Sequence, residues 1–145
     1  MPRIKIIIPE NKIASILIPV RITEINYGDH VGNDSFVSII HEARVQWLNQ
    51  NDFTELSVAG ASLIMGGLSI EFKNESFYRD ILTIEISCGE ITSVGFELFY
   101  KLTTERNGKN ILIANAKTDM ACFDYQNKKV MAVPEMLKTV LLKTI

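Results

Sequence analysis

The sequence contains only two cysteines, Cys88 and Cys122, and two histidines, His30 and His41, among 145 residues. Neither pair has the spacing of a metal-ligand set, and together they cannot complete a zinc site, so no metal is expected and both thiols should be free and buried in a reducing compartment. Long apolar runs are also missing. The opening "MPRIKIIIPENK" is broken by Pro9 and followed by Glu10 and Asn11, too short to span a bilayer and without a small-residue cleavage site. Nor is there an excess of charge of one sign: the net charge is -2, which gives no global attraction to nucleic acid or membrane. These absences predict a cytoplasmic protein with neither nucleic-acid nor membrane partners. Prolines are few, at positions 2, 9, 19 and 134, and no repeat or low-complexity linker interrupts the chain, so residues 1–145 read as one domain. No phosphate-binding loop or dinucleotide fingerprint is present, and no cofactor is expected.

What is present is a change of period. In "IASILIPVRITEI", Ile16, Ile18, Val20 and Ile22 alternate as in a strand, with Pro19 tolerable at an edge or bulge. In "SFVSIIHEARVQWLNQND", Phe36, Ile39, Ile40, Ala43 and Trp47 recur at three and four, with Val37 and Leu48 widening the apolar face of a helix. Asn33 or Asp34 is the expected N-cap. From residue 60 the period returns to two. Leu68, Ile70 and Phe72, then Leu82, Ile84, Ile86 and Cys88, then Val94 to Leu102, then Leu112 to Cys122 predict four strands in meander, with a hairpin turn at Asn107-Gly108. Pro134 opens a short closing helix. The order predicts an α+β domain, with one helix packed on an antiparallel sheet. One helix cannot cover a long sheet, so a homo-oligomer is expected.

Between the first strand and the helix lies "NYGDHVGND", residues 26–34, where two acids, two asparagines and a histidine precede a helix N-terminus. Free N–H groups at such a terminus favour an anionic or strongly dipolar ligand atom. Asn26, Asp29 and His30 serve equally well as turn-forming side chains or as a site, and residue type alone leaves both open. Glu42 on the helix is either an acid of that site or an exposed partner of an arginine. Met65-Gly66-Gly67 marks either a bulge or a place where substrate approaches backbone closely. Phe36, Trp47 and the methionines read as core.

"EINYGDHVGNDSFVSIIHEARVQWL" resembles the DxDxxGHVNN motif and following EAR helix of the hotdog-fold acyl-thioester hydrolases related to 4-hydroxybenzoyl-CoA thioesterase, with His30, Val31, Asn33 and Ala43-Arg44 in register. "SFYRDILTIEI" is similar to the family's GD segment, with Asp80 matching and Arg79 in place of glycine. "SVGFELFYKL" looks like its SSF strand, and "ACFDYQNKKVMAVPEML" like its ending, with Asp124, Pro134 and Glu135 in place. The resemblance implies a hotdog fold, a long central helix wrapped by an antiparallel sheet, assembled as a homodimer or homotetramer. It implies hydrolysis of acyl-CoA or acyl-carrier-protein thioesters, CoA entering as part of the substrate. The family's two acids fall on Glu24 and Asn26, and the glycine before the histidine on Asp29. Asn26 cannot take a proton at neutral pH. The assignment in which His30 with Asp29 or Glu42 prepares a water, while Asn26 and helix N–H groups hold the thioester oxygen, resembles that of plant acyl-carrier-protein thioesterases. Tyr27, Val31, Asn33, Gly66, Gly67 and Ser93 would contact substrate. The loss of the carboxylate at Asn26 leaves a non-catalytic acyl-thioester-binding protein as the alternative, with a hotdog dehydratase or hydratase behind it.

Overall fold

Alternation of apolar and polar side chains produces six strands in the computed structural model, which describes residues 4–145. The first three positions of the single-domain assignment, Pro2 among them, lie outside the described residues. In chain order the elements are β1 (Lys12–Pro19), a single 3-10 turn (Ile22–Glu24), α1 (Asn33–Gln50), β2 (Ser62–Phe72), β3 (Ile81–Ile91), β4 (Gly95–Arg106), β5 (Lys109–Asp124), β6 (Lys129–Val130) and α2 (Glu135–Leu141). The fold is α+β: one antiparallel sheet in the order β1-β3-β4-β5-β2, with β6 added to β5, and two helices.

The expected meander holds for β3, β4 and β5 but not for β2. That strand pairs with β5 at the far edge, and β3 turns instead to β1. Alternation states which face of a strand is buried and carries nothing about which strand lies beside it. Side chains at even positions of β3, β4 and β5 make one continuous apolar layer, with Leu82, Ile84, Ile86, Leu98, Tyr100, Leu102, Ala114 and Ala116 fully buried. Against it α1 presents Phe36, Ile39, Ile40, Ala43, Trp47 and Leu48, as its period predicts. Val37 departs from that stripe and is partly exposed, because it lies one position round the helix from the buried face. Of the methionines, Met120 is core, whereas Met65 and Met136 are exposed.

Ends and turns follow local chemistry. The N-cap of α1 is Gly32 and not Asn33 or Asp34, which are its first two helical residues and make no side-chain cap. Pro134 is the N-cap of α2, one position before the helix proper. Ile22 falls in the 3-10 turn after β1 and is exposed, so the alternation of β1 stops at Val20. Asn107 and Gly108 both have positive φ, 52° and 75°, as a two-residue hairpin requires. A bulge falls at Met65/Gly67 in β2. It changes which positions face the helix: Leu63 and Met65 lie opposite Cys122 and Met120 before it, and Leu68, Ile70 and Phe72 opposite Thr118, Ala116 and Ala114 after it.

Gly95 begins β4 close against the main chain of β5. A Cβ there would clash with the carbonyl oxygen of Met120, a backbone atom that cannot swing away. Gly95→Ala is expected to cost about 1–3 kcal/mol, the usual range for overpacking a fitted site. Urea unfolding would check it, as a lower midpoint at unchanged slope.

Candidate active site

Residues 25–32 form a closed turn before α1. Ile25 and Val31 bridge, the Asn26 N–H donates to the His30 carbonyl (2.9 Å), and the Asp29 N–H to the Asn26 carbonyl (3.2 Å). The Asn26 side chain accepts the Gly28 N–H through Oδ1 at 2.8 Å, which leaves its Nδ2 as a donor on the side of Gly32, where α1 starts. His30 Nδ1 lies 3.2 Å from the Val31 carbonyl oxygen. A carbonyl can only accept, so the proton sits on Nδ1, and Nε2 carries the free lone pair of the neutral ring. Gly28 stands against that Nε2 and Asn26 Oδ1, which would lie 3.1 and 3.3 Å from any Cβ. At the start of α1 the N–H groups of Asn33 and Asp34 have no acceptor among the described residues.

Glu24, at the first acid position of the motif, is buried and serves its own turn. Burial pushes its carboxyl up, but hydrogen bonds from the Arg21 N–H and guanidinium and from the Thr23 hydroxyl outweigh this and hold it below the usual carboxylate range. Asp29 has φ of 63° and Arg79 φ of 73°; at both positions the resembling family has glycine, and the backbone here keeps the left-handed turn without it.

His30 and Asn33 face a hollow of about 210 Å³ closed by Val31, Phe36, Phe72, Lys73 and Ser76, with Phe36 and Phe72 packed edge to face at 5.4 Å. Further along α1 and β2 follows a second hollow of about 240 Å³, between Val37, Ser38, Ile40, His41 and Arg44 on one wall and Met65 and Leu68 on the other. Both hollows open on the β2 side of the helix without sharing a lining residue, and together they are the α1–β2 groove. Gly66 and Gly67 lie at the bulge between Met65 and Leu68 and line neither hollow; a Cβ on Gly67 would meet the Asp119 carboxylate.

The first hollow gathers His30, Val31 and Asn33, with Asn26 behind the helix start. Five expected members stay apart within one chain, Gly66 and Gly67 at the bulge among them. Glu42 lies on the opposite flank of α1, beside β1, where Gln46 donates to it at 2.9 Å. Tyr27 is fully exposed. Ser93 lies in the β3–β4 turn, its carbonyl accepting the Val133 N–H, at the other end of β3 from the start of α1. The Asp29 carboxylate makes no hydrogen bond to another described residue, so His30 has no acid partner in its own chain. Neither cysteine offers a nucleophile: burial pushes both thiols up to about 11, helped at Cys88 by the Glu97 carboxylate.

One cluster carries no signal in the sequence. His41 Nε2 meets Glu55 Oε1 at 2.5 Å, Arg44 Nε donates to Glu55 Oε2 at 2.9 Å, and Arg44 Nη1 donates to the Tyr100 hydroxyl at 3.2 Å, which lies 2.8 Å from Thr118 Oγ1. Glu55 belongs to a loop without period, and nothing in its surroundings marks it as a partner for the helix. Burial raises its carboxyl, but the bonds from Arg44 and His41 outweigh that and keep it below the ordinary value.

Residues 20–141 match the family model of the thioesterase-like superfamily. The chain belongs to that superfamily. Among solved hotdog thioesterases, the 1,4-dihydroxy-2-naphthoyl-CoA thioesterase from Synechocystis superposes with a TM-score of 0.77 at 20% identity, over 88% of this chain and 93% of that one. The gentisyl-coenzyme A thioesterase BH1999 gives 0.75 at 16%, over 88% and 99%. The DHNA-CoA thioesterase from Staphylococcus aureus gives 0.72 at 15%, over 82% and 79%. These likenesses establish the thioesterase fold. A search of curated proteins finds no match in sequence. No helix among the described residues is long and apolar enough to cross a membrane.

Asp80 pins the loop that closes the groove's near end. It accepts from Arg106 (2.6 Å), the Ser76 hydroxyl (3.1 Å) and the Phe77 N–H (2.8 Å), and the Val31 N–H bonds the Ser76 carbonyl. Burial opposes ionisation of Asp80, but these bonds outweigh it and lower its pKa. A carboxylate with a lowered folded pKa contributes stability that is fully present above the unfolded value, here 3.8, and is lost as pH falls through the folded value. In acid titrations of unfolding free energy, Asp80→Asn should be less stable at neutral pH and show a shallower loss below pH 3.8.

Proposed function

We propose that this protein hydrolyses acyl-CoA thioesters in the α1–β2 groove. The observation that carries the reading is the start of α1, where two unbonded N–H groups, the Asn26 amide and an imidazole lone pair gather in a chain of the thioesterase-like superfamily. Hydrolysis needs donors for the oxygen of the tetrahedral intermediate and a group to take a proton from water. In this reading the Asn33 and Asp34 N–H groups and Asn26 Nδ2 hold the thioester oxygen, and His30 Nε2 accepts a proton as water adds to the carbonyl carbon. The carbon–sulfur bond then breaks, the imidazolium returns the proton to sulfur, and acid and free thiol leave. Val31 and Asn33 border the bound thioester. CoA is preferred to a carrier protein because the named structural relatives are CoA thioesterases. The open edge of β2 supports a homodimer or homotetramer, in which Glu42, Tyr27 and Ser93 could reach a neighbour's site. The free thiols, Cys122 buried and Cys88 half-buried, fit a cytoplasmic location.

His30 without an acid partner, beside Asn26 in place of an acid, favours one second reading: a protein that binds acyl thioesters without turning them over. Thiol release from short-chain, long-chain and aromatic acyl-CoAs decides between them. Turnover by the wild type, with kcat lowered about 100-fold or more in a normally folded His30→Ala variant, is expected for a general base. Binding of the same substrates with no thiol released would establish the second reading.

A further inference from the structure

The hollow that holds His30 is closed on its far side by residues 73–76, the start of the connection from β2 to β3. This connection has no repeating structure, yet it is fastened at almost every residue. The Lys73 and Asn74 N–H groups donate to the Ile113 carbonyl (2.9 and 3.2 Å), and Asn74 Nδ2 donates to the Leu112 carbonyl (2.7 Å). Arg106 Nη2 donates to the Glu75 carbonyl (2.7 Å), the Ser76 hydroxyl to Asp80 (3.1 Å), and the Val31 N–H to the Ser76 carbonyl (2.8 Å). Lys73 Nζ pairs with Glu71 at 2.9 Å. One group is left out. The Glu75 carboxylate makes no hydrogen bond or ion pair to a described residue, although the main chain around it is held.

Two observations set that carboxylate beside His30. Glu75 is the one acid among the described residues lining the hollow, where Lys73 already has Glu71 as its counter-ion. The Val31–Ser76 bond also joins two main-chain segments, and the residues that precede its two ends are His30 and Glu75, so both side chains leave neighbouring points. Other acids are occupied or elsewhere: Glu24 is held by Arg21 and Thr23, Asp80 by Arg106, Ser76 and Phe77, and Glu42 lies on the opposite flank of α1. Fastening the loop fixes where the free side chain starts, which is what a site on irregular backbone requires.

We propose that Glu75 is a catalytic residue of this hollow: its carboxylate holds the attacking water against His30, in place of the acid missing at Asn26. A water has two O–H bonds, and a carboxylate only accepts. One O–H faces His30 Nε2 and the other Glu75, which turns an oxygen lone pair toward the thioester carbon. As the carbon–oxygen bond forms, His30 takes the first proton and the carbonyl π electrons move onto oxygen. The Glu75 charge then stands beside the imidazolium and stabilises it. When the carbonyl re-forms, the carbon–sulfur bond breaks, its electron pair leaves on sulfur, and the imidazolium protonates the thiolate. Glu75 gains no proton at any step. The inference rests on the reading of the hollow as the thioester site and adds a residue to it.

The test measures thiol release by Glu75→Gln, His30→Ala and the double variant, on the acyl-CoA that the wild type hydrolyses fastest. Glu75→Gln keeps the size of the side chain and removes its charge. Because the carboxylate bonds nothing in the fold, the urea midpoint should not move. In Glu75→Gln kcat should fall about 100-fold, the lower end of the range for a group acting on proton transfer, with KM changed by less than about twofold. Both residues act on one water, so adding Glu75→Gln to His30→Ala should slow it by no more than about twofold further, whereas independent contributions would multiply. A kcat unchanged in Glu75→Gln, as for an exposed glutamate with no role, or losses that multiply in the double variant, would overturn the inference and leave hydrolysis standing. No thiol released by the wild type from any acyl-CoA would overturn both.

Discussion

A guanidinium buried between helix and sheet fixes how the two layers meet. Arg44 is 5% exposed and lies on the face of α1 that covers the middle of the sheet. Leaving such a charge uncompensated away from water costs several kcal/mol, so its partners must be in place whenever the helix is. They are Glu55 from the loop after α1 and the hydroxyl of Tyr100 at the centre of β4, which is itself bonded to Thr118 on β5. One side chain thus ties together the helix, the loop that follows it and two central strands. The apolar face of α1 could slide along a greasy sheet by a turn at small cost. The bidirectional demand of Arg44 removes that freedom.

Fixing α1 also fixes everything mounted on it. The helix start brings the 25–32 turn into register with the Ser76 loop through the Val31 N–H, and the length of the helix sets the separation of the two imidazoles. His30 and His41 differ in chemistry because they differ in what holds them. A backbone carbonyl orients the first and leaves it an unassisted lone pair. A carboxylate that is itself clamped orients the second. Two residues of the same type are in this way given different hydrogen-bonding surroundings.

Much of this was legible in the residues. Periodicity located the helix and every long strand, because burial of one face is what both patterns encode. The Asn107-Gly108 turn followed from backbone chemistry that few residues tolerate, whereas the bulge was one of two readings that the glycine doublet left open. Strand order was not legible: the pairing of β2 with β5 and of β1 with β3 depends on contacts distant in sequence that leave no local trace. Within the site, the closeness of Asn26 and His30 could be read from their shared turn. The separation of Glu42 from His30 could not, since two positions on one helix look equally near until the sheet decides which flank faces the groove. Glu55 was invisible for the same reason, being defined by what it reaches. Asp29 and Arg79 show the converse: positions where glycine would be the easy choice keep their left-handed backbone with other side chains, so the local conformation outlasts the residue that best suits it.

The bulge in β2 acts as a phase shifter. With a strict alternation along the whole strand, Met65 and Leu68 could not both face the helix, since their positions differ in parity. One extra residue at the glycine doublet lets the two ends of β2 obey opposite parities while both line the same groove. The cost therefore falls on straightening the strand and not on shortening it. Loss of the extra residue would leave a regular strand with Met65 still opposite Met120 and Leu68 still opposite Thr118, whereas straightening β2 at its present length would turn Leu68, Ile70 and Phe72 to the other face of the sheet.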